Sequence, residues 1–245
     1  MPSTNFSFGN ILYLVFSKPQ LNWNRSYINE YNLTGDLVWS LDTYSFISPT
    51  QWCPFQDMIG KGRGITHLNT IFFDSEEDIF YYTSSNLNTF YKIDHKTNKI
   101  ILGLGQYGNF TLFDLEGNQH QSLLFHPHAI EKIDDNQFIL FDNDKHNFEN
   151  PSSSKSRIIE LKIDESTMIA NESWIWTTPN SYYSHALGDA DRLPNGNRLG
   201  TFGTSTHPDT DIGARLVEVN SKGNIVWELN FPHTETYKYE VNRME

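Results

Sequence analysis

The sequence predicts an all-β chain built from a repeated four-strand unit, and three observations predict it. Aromatic residues make up 14 % of the chain, with 17 Phe, 12 Tyr and 6 Trp, a composition that suits pleated sheets better than helices. A single hairpin pattern recurs four times along the 245 residues. No segment keeps a 3.6-residue apolar period, because Pro, Gly and Asn interrupt every long stretch.

The first apolar run, Ile11-Leu-Tyr-Leu-Val-Phe16, is far too short to span a membrane and has no basic flank or small-residue cleavage site. It reads as a strand. Tyr31-Asn-Leu-Thr-Gly-Asp-Leu-Val-Trp-Ser-Leu41 then matches Val219-Asn-Ser-Lys-Gly-Asn-Ile-Val-Trp-Glu-Leu229 position for position, each a strand, a Gly-containing turn and a second strand. Ile93 to Leu102 repeats the hairpin with one more residue, and Ile163 to Trp176 repeats it with a longer loop. The anchors Asn32, Asp94, Asp164 and Asn220 thus recur at intervals of 62, 70 and 56.

A second signature precedes each of the last three hairpins: apolar strand, polar turn, apolar strand. Leu68 to Tyr82, Ala129 to Phe141 and Gly188 to Phe202 are its copies. Two hairpins per repeat give four short strands, which is the content of one β-propeller blade. The predicted fold is therefore a single β-propeller domain of about four blades: an incomplete one over 1–58, then 59–110, 111–180 and 181–245. A propeller has edges to protect, so either four blades close into a compact ring, or further blades complete it, or a partner or second copy covers the edge.

Thirty acidic against 18 basic side chains give a net charge of -12, and the seven Arg are scattered. This excludes a basic stripe for nucleic acid and opposes anionic surfaces, except where a local cluster of His and Arg reverses the field. Cys53 is the single cysteine, so no intrachain disulfide or Cys-based zinc site forms, and the residue reads as a small buried side chain. Five Asn-x-Ser/Thr sequons begin at Asn5, Asn24, Asn32, Asn109 and Asn171 but carry little weight in an Asn-rich chain. The Asp-rich stretches Asp74 to Asp78 and Asp142-Asn-Asp144 lack the spacing of a calcium loop and read as solvated turns.

The nine histidines are unevenly placed. His67 stands at the head of the first strand of its repeat, His126 and His128 stand there in Phe125-His-Pro-His-Ala129, and His185 does so in Tyr183-Ser-His-Ala-Leu-Gly188. The steps from His67 to His126 and from His126 to His185 are both 59. Inner strands of a propeller line its channel, so equivalent positions converge. Converging imidazoles suit two tasks, ligating a transition metal or attacking and stabilising an anionic ester. Alternation along a strand would set both rings of His126-Pro-His128 on one face, which keeps a metal site of His126, His128 and His185 as a third reading. Read as structural residues, inner-strand histidines bond to neighbouring blades.

The stretches Thr66-His-Leu-Asn69, Asn86-Leu-Asn88 and Tyr91 to Ile100, with Leu140-Phe-Asp-Asn143, Ser156-Arg-Ile-Ile-Glu-Leu161, Leu193-Pro-Asn-Gly-Asn197 and Val217 to Leu229, resemble blades of the arylsulfotransferase family. The resemblance runs from about Gly60 to the C-terminus. It implies a propeller, six-bladed in relatives, that moves a sulfuryl group between phenols through a sulfated histidine, with no nucleotide donor, no cofactor and no metal. By position it implies His67 and His126 as sulfate-binding histidines, His185 as the nucleophile and Arg157 as the family's arginine. His128, Asn69 and Tyr183 would line the substrate site, and Tyr182 and Tyr183 could stack on an aryl group. His207 is a rival nucleophile whose other reading is a surface loop beside Asp209 and Asp211. The implied partners are a small aryl sulfate and a phenol, and the bacterial relatives imply an extracytoplasmic setting, although the chain shows no export signal. A non-catalytic propeller that binds a protein or glycan on its loop face is the alternative, since scaffold alone does not establish chemistry.

Overall fold

A computed structural model describes residues 11–16, 26–47, 66–145, 147, 155–179, 182–203 and 212–232. Among these there is no α-helix, and no helix long and apolar enough to cross a membrane. The strands form four sheets, each built on an antiparallel meander joined in chain order, as propeller blades are, with one short hairpin added in parallel to the third. The chain divides into two compact units that part between Asn109 and Phe110, and each is described by itself.

The N-terminal unit holds two sheets. The first comprises β1 (Ile11–Phe16), β2 (Ser26–Tyr31) and β3 (Leu37–Asp42), and is three-stranded, in keeping with the single apolar run at its start. The second runs β4 (Leu68–Asp74), β5 (Ile79–Ser84), β6 (Thr89–Asp94) and β7 (Lys99–Gly105). Ile28 and Leu41 of the first sheet pack on Phe80, Tyr82 and Tyr91 of the second in one buried core. His95 joins the two sheets, with Nδ1 2.7 Å from Asp78 Oδ1 and Nε2 3.0 Å from Glu30 Oε2. Its ring packs against Trp39 and Phe80.

The second unit begins with a hairpin, β8 (Thr111–Phe113) and β9 (Gln119–His120). The third sheet follows: β10 (Pro127–Asp134), β11 (Gln137–Asp142), β12 (Arg157–Asp164) and β13 (Ile169–Thr177). The sequence predicted four strands here, and the sheet has six, because β8 adds to the outer edge of β13 in parallel. The fourth sheet is β14 (Asp189–Arg192), β15 (Arg198–Phe202), β16 (Ile212–Val219) and β17 (Ile225–Pro232). Ile139, Phe141 and Ile158 pack against Phe202, Val217 and Val219 in the core between these sheets. Glu160, 2 % exposed, takes a bidentate pair from Arg198 Nε and Nη2 at 2.8 and 2.9 Å and a third donor from Arg192, while the Arg198 guanidinium lies 4.2 Å over Trp174. A buried carboxylate persists only when its oxygens are so satisfied.

The four anchors of the sequence repeat have a common physical role. Asn32 Oδ1 accepts from Thr34 N and Asp36 N, Asp94 Oδ1 from Thr97 N, Asp164 Oδ1 from Ser166 N, and Asn220 Oδ1 from Lys222 N and Asn224 N. Each side chain closes the outer hairpin of its sheet as an Asx turn. The predicted turn at Asp74 is of the same kind, with Oδ1 accepting from Glu76 N and Glu77 N.

Gly188 sets the approach of the chain to β14. Its φ of 134° belongs to glycine, and a Cβ there would meet Cε1 of the Phe141 ring at 2.3 Å. Phe141 is fully buried and cannot yield. Gly188→Ala is therefore expected to destabilise the fold by roughly 1–3 kcal/mol from overpacking, with a similar order again from the backbone. Urea unfolding checks this, and an unchanged midpoint would refute the packing described.

Candidate functional site

His67 and His126 occupy equivalent places. Each directly precedes the first strand of its sheet, β4 or β10, in left-handed backbone at φ 42° and φ 59°. The His67 carbonyl accepts from Ser85 N at 3.1 Å, and the His126 carbonyl from Asn143 N at 3.4 Å. Ser85 and Asn143 each follow the last residue of the second strand. Non-glycine residues at positive φ cost of order 1–3 kcal/mol and are held by their surroundings. Asn69, at the bulge between Leu68 and Thr70 in β4, donates from Nδ2 to Ser85 Oγ, so in the N-terminal unit Asn69 and His67 meet the same serine.

The equal spacing of 59 does not carry to the third strand head. Asp189 pairs with Thr201, so one step further Gly188 faces Phe202, as Pro127 faces Asp142 in the sheet before. The place of His126 then falls to Leu187, which shares its left-handed backbone at φ 63°. His185 lies two residues upstream in the segment that leads into β14, half-buried, with Tyr183 beside it. The pairing of His126 and His128 on one face also fails, because His126 lies outside β10 in left-handed backbone, where strand alternation does not apply. His128 is in the strand, opposite Phe141.

Asn143 ties His126 to the segment that carries His185. While its backbone N–H meets the His126 carbonyl, its Nδ2 donates to Ser184 O at 2.8 Å and Leu187 O at 2.9 Å. Ser156 Oγ adds a bond to Ser184 O and accepts from Ser184 N. Three buried polar residues, Asn143, Ser156 and Ser184, thereby fix both ends of the loop around His185.

Arg157 enters a different kind of arrangement. It opens β12 opposite Asp142, its Nε and Nη2 donate to Asp142 Oδ2, and Nη2 also donates to Leu123 O at 3.2 Å. Asp144 Oδ1 lies 3.4 Å away. Asp142 Oδ1 accepts from Phe125 N at 2.7 Å, and the guanidinium lies 5.7 Å over the Phe125 ring. Arg157 and Asp142 thus brace the chain from Leu123 to Phe125, immediately before His126. The expectation of a solvated turn at Asp142-Asn-Asp144 is corrected here: these residues are 0 %, 1 % and 3 % exposed, because the guanidinium gives their carboxylates a partner inside the protein. Burial pushes the Asp142 carboxyl up to about 7, against the pull of Arg157.

Asn143, Asp142 and Ser156 were not among the predicted site residues, although the first two close the motif Leu140-Phe-Asp-Asn143. Among the described residues no three His, Cys, Asp or Glu side chains form a metal-binding group, so His126, His128 and His185 do not make one. Cys53 and His207 lie outside the described residues.

The fold is thus that of an all-β protein of propeller-type blades, with strand-head histidines. The family model described as Arylsulfotransferase (ASST) matches residues 4–240, and the chain belongs to the arylsulfotransferase family. No curated protein matches it. Among solved structures, dihydro-heme d1 dehydrogenase NirN in complex with DHE is similar at 11 % identity and a TM-score of 0.42, over 90 % of this chain and 38 % of that one. A putative 6-phosphogluconolactonase from Bacteroides fragilis has 10 % identity and a TM-score of 0.45, over 90 % and 56 %. The WD40 domain of SCAP from fission yeast has 10 % identity and a TM-score of 0.30, over 97 % and 65 %. The chain spans less than two thirds of the length of each.

The Asp142 carboxyl gives a pH test. Its ordinary value is 3.8 and its folded value about 7, so between these the folded chain holds a proton that the unfolded chain has released. Stability from this group falls as pH rises through that window. Asp142→Asn does not titrate, and is expected to gain stability relative to wild type from pH 3.8 to about 7. Thermal unfolding of both proteins across the window checks the slope, and a pH-independent difference would count against it.

Proposed function

We propose that this chain transfers a sulfuryl group from an aryl sulfate to a phenol through a sulfated histidine. The observation that carries the reading is Asn143, which holds the His126 strand head with its backbone and the His185 segment with its side chain. Family membership supplies the reaction class.

A ring nitrogen of neutral His185 attacks sulfur, the N–S bond forms as the S–O bond to the aryl oxygen breaks, and the phenolate leaves with the electron pair. Loss of the imidazolium proton leaves sulfohistidine, with the phenolate taking up a proton. The acceptor phenol then loses its proton, its oxygen attacks sulfur, and the N–S bond breaks to restore the imidazole. Charge in such a loose transition state lies on the equatorial oxygens, by analogy with phosphoryl transfer. His126 donates to those oxygens. His128 and Tyr183 line the substrate site within the second unit. Arg157, whose guanidinium already serves Asp142 and Asp144, is a positioning residue that acts through Asp142 on the backbone before His126.

The test is transfer of sulfate from a chromogenic aryl sulfate to phenol, with mass spectrometry for a sulfated histidine. His185→Ala is expected to lower kcat on the order of 10³-fold or more and to lose the modification. Asn143→Ala removes the side-chain donor of the Leu187 carbonyl and one of two donors of the Ser184 carbonyl, costs about 1 kcal/mol or more of stability, and lowers kcat without removing the sulfated residue. Modification of another histidine would move the nucleophile. A folded wild type without turnover across a panel of aryl sulfates would overturn the reading in favour of a non-catalytic propeller.

A further inference from the structure

Three of the four sheets carry the same pair of residues in the same register. On the last two strands of the meander, Glu30 stands opposite Trp39, Glu160 opposite Trp174 and Glu218 opposite Trp227. The second sheet has Lys92 opposite Leu102 there, so the pair is not a requirement of the repeat. Within each unit, one such pair grips a basic side chain of the sheet that follows. In the N-terminal unit, Glu30 Oε2 lies 3.0 Å from His95 Nε2, and the Trp39 and His95 rings meet edge to face with centroids 5.0 Å apart. In the second unit, Glu160 takes both Arg192 and Arg198, and the Arg198 guanidinium lies 4.2 Å over Trp174. The indole completes each grip by donating to the outer turn of the following sheet. Trp39 Nε1 donates to Asn98 Oδ1 at 2.9 Å, and Trp174 Nε1 to Ser221 O at 3.0 Å.

The third pair has the grip without the basic side chain. Glu218 Oε1 accepts from Asn195 Nδ2 at 3.0 Å and Asn197 Nδ2 at 2.6 Å, two neutral amides from the β14–β15 turn of its own sheet. Asn197 and then Asn195 hold this carboxyl below its usual range, so its charge is present, and among the described residues no cation offsets it. Trp227 is 46 % exposed, with Ile225 and Leu229 at 38 % on the same strand, whereas Trp39 and Trp174 are half-buried under their partners. A single exposed apolar side chain needs no explanation. This one stands in the register where two others are covered, beside a carboxylate in the register where two others are paired.

The covered pairs show what fits. Arg192 and Arg198 stand opposite each other on the β14–β15 hairpin and reach Glu160 together. A guanidinium suits the grip because its plane stacks on an indole while its fork meets a carboxylate. Among the described residues the first sheet has no Lys or Arg, so the leading sheet of a second copy does not offer that chemistry.

We propose that Glu218 and Trp227 form a docking site for a protein partner that presents an arginine from a β-hairpin, as β14–β15 presents Arg198 to Glu160 and Trp174. The site does not depend on the proposed reaction.

The probe is a cyclised, fluorescently labelled peptide of residues 189–202, which carries Arg192 and Arg198, titrated into the full chain with polarisation as the readout. Cyclisation is needed because an isolated hairpin is marginal in water. Wild type is expected to bind it saturably. Glu218→Gln and Trp227→Leu are each expected to weaken binding about tenfold, and a peptide with citrulline in place of both arginines, which keeps the shape and removes the charge, should weaken as much. Undiminished binding in the two variants, or of the citrulline peptide, would mean contact elsewhere or plain strand-edge pairing and would overturn the site, as would no saturable binding by wild type. A dimer seen by sedimentation of the chain alone and dispersed by Trp227→Leu would assign the face to a second copy, and so overturn the partner as stated. If either variant does not fold, the comparison of arginine and citrulline peptides on wild type decides.

Discussion

A small antiparallel sheet has two faces and too little area to be stable alone in water, so the constraint on this chain is that every sheet must press a face against the next. Within the N-terminal unit that contact is made by Ile28 and Leu41 on the aromatic face of β5 and β6. Within the second it is made by Phe141 and Ile158 on Phe202 and Val217. Polar groups caught between sheets must then find partners there. His95 with Glu30 and Asp78, and Glu160 with Arg192 and Arg198, are the outcome. These pairs are long-range in sequence, so they fix which sheet neighbours which.

The same packing governs the strand heads. Gly188 is required because Phe141 occupies the volume of a side chain there. Left-handed backbone at His67, His126 and Leu187 turns the chain toward the first strand of the second, third and fourth sheets. One histidine carbonyl is bonded by the residue after β5 and the other by the residue after β11, so strand pairing inside a sheet positions the residue before it. Asn143 extends this control from one blade to the next with a single amide group.

Much of the fold was legible because its signals are local. An Asx turn is complete within four or five residues, so Asn32, Asp94, Asp164 and Asn220 mark the outer hairpins directly in the sequence. The site was legible in residue type and less so in position. Equal spacing suggested that His185 sat at a strand head, but register places Leu187 there, since the residues between blades differ in number. Asp142 looked like a solvated turn because its partner Arg157 is 15 residues away in sequence and the apolar cover comes from other strands.

The β8–β9 hairpin has a temporal consequence. Thr111 pairs with Ile169, 58 residues later, so the hairpin leaves the ribosome well before the strand that will hold it exists. At about 5–20 residues per second of synthesis, this hairpin waits on the order of several seconds with its edge exposed. Its brevity, two short strands of three and two residues, limits what a neighbouring nascent chain could pair with during that interval. Once docked, it caps the outer edge of β13, so an element that waits exposed during synthesis becomes the one that covers that edge of its finished sheet.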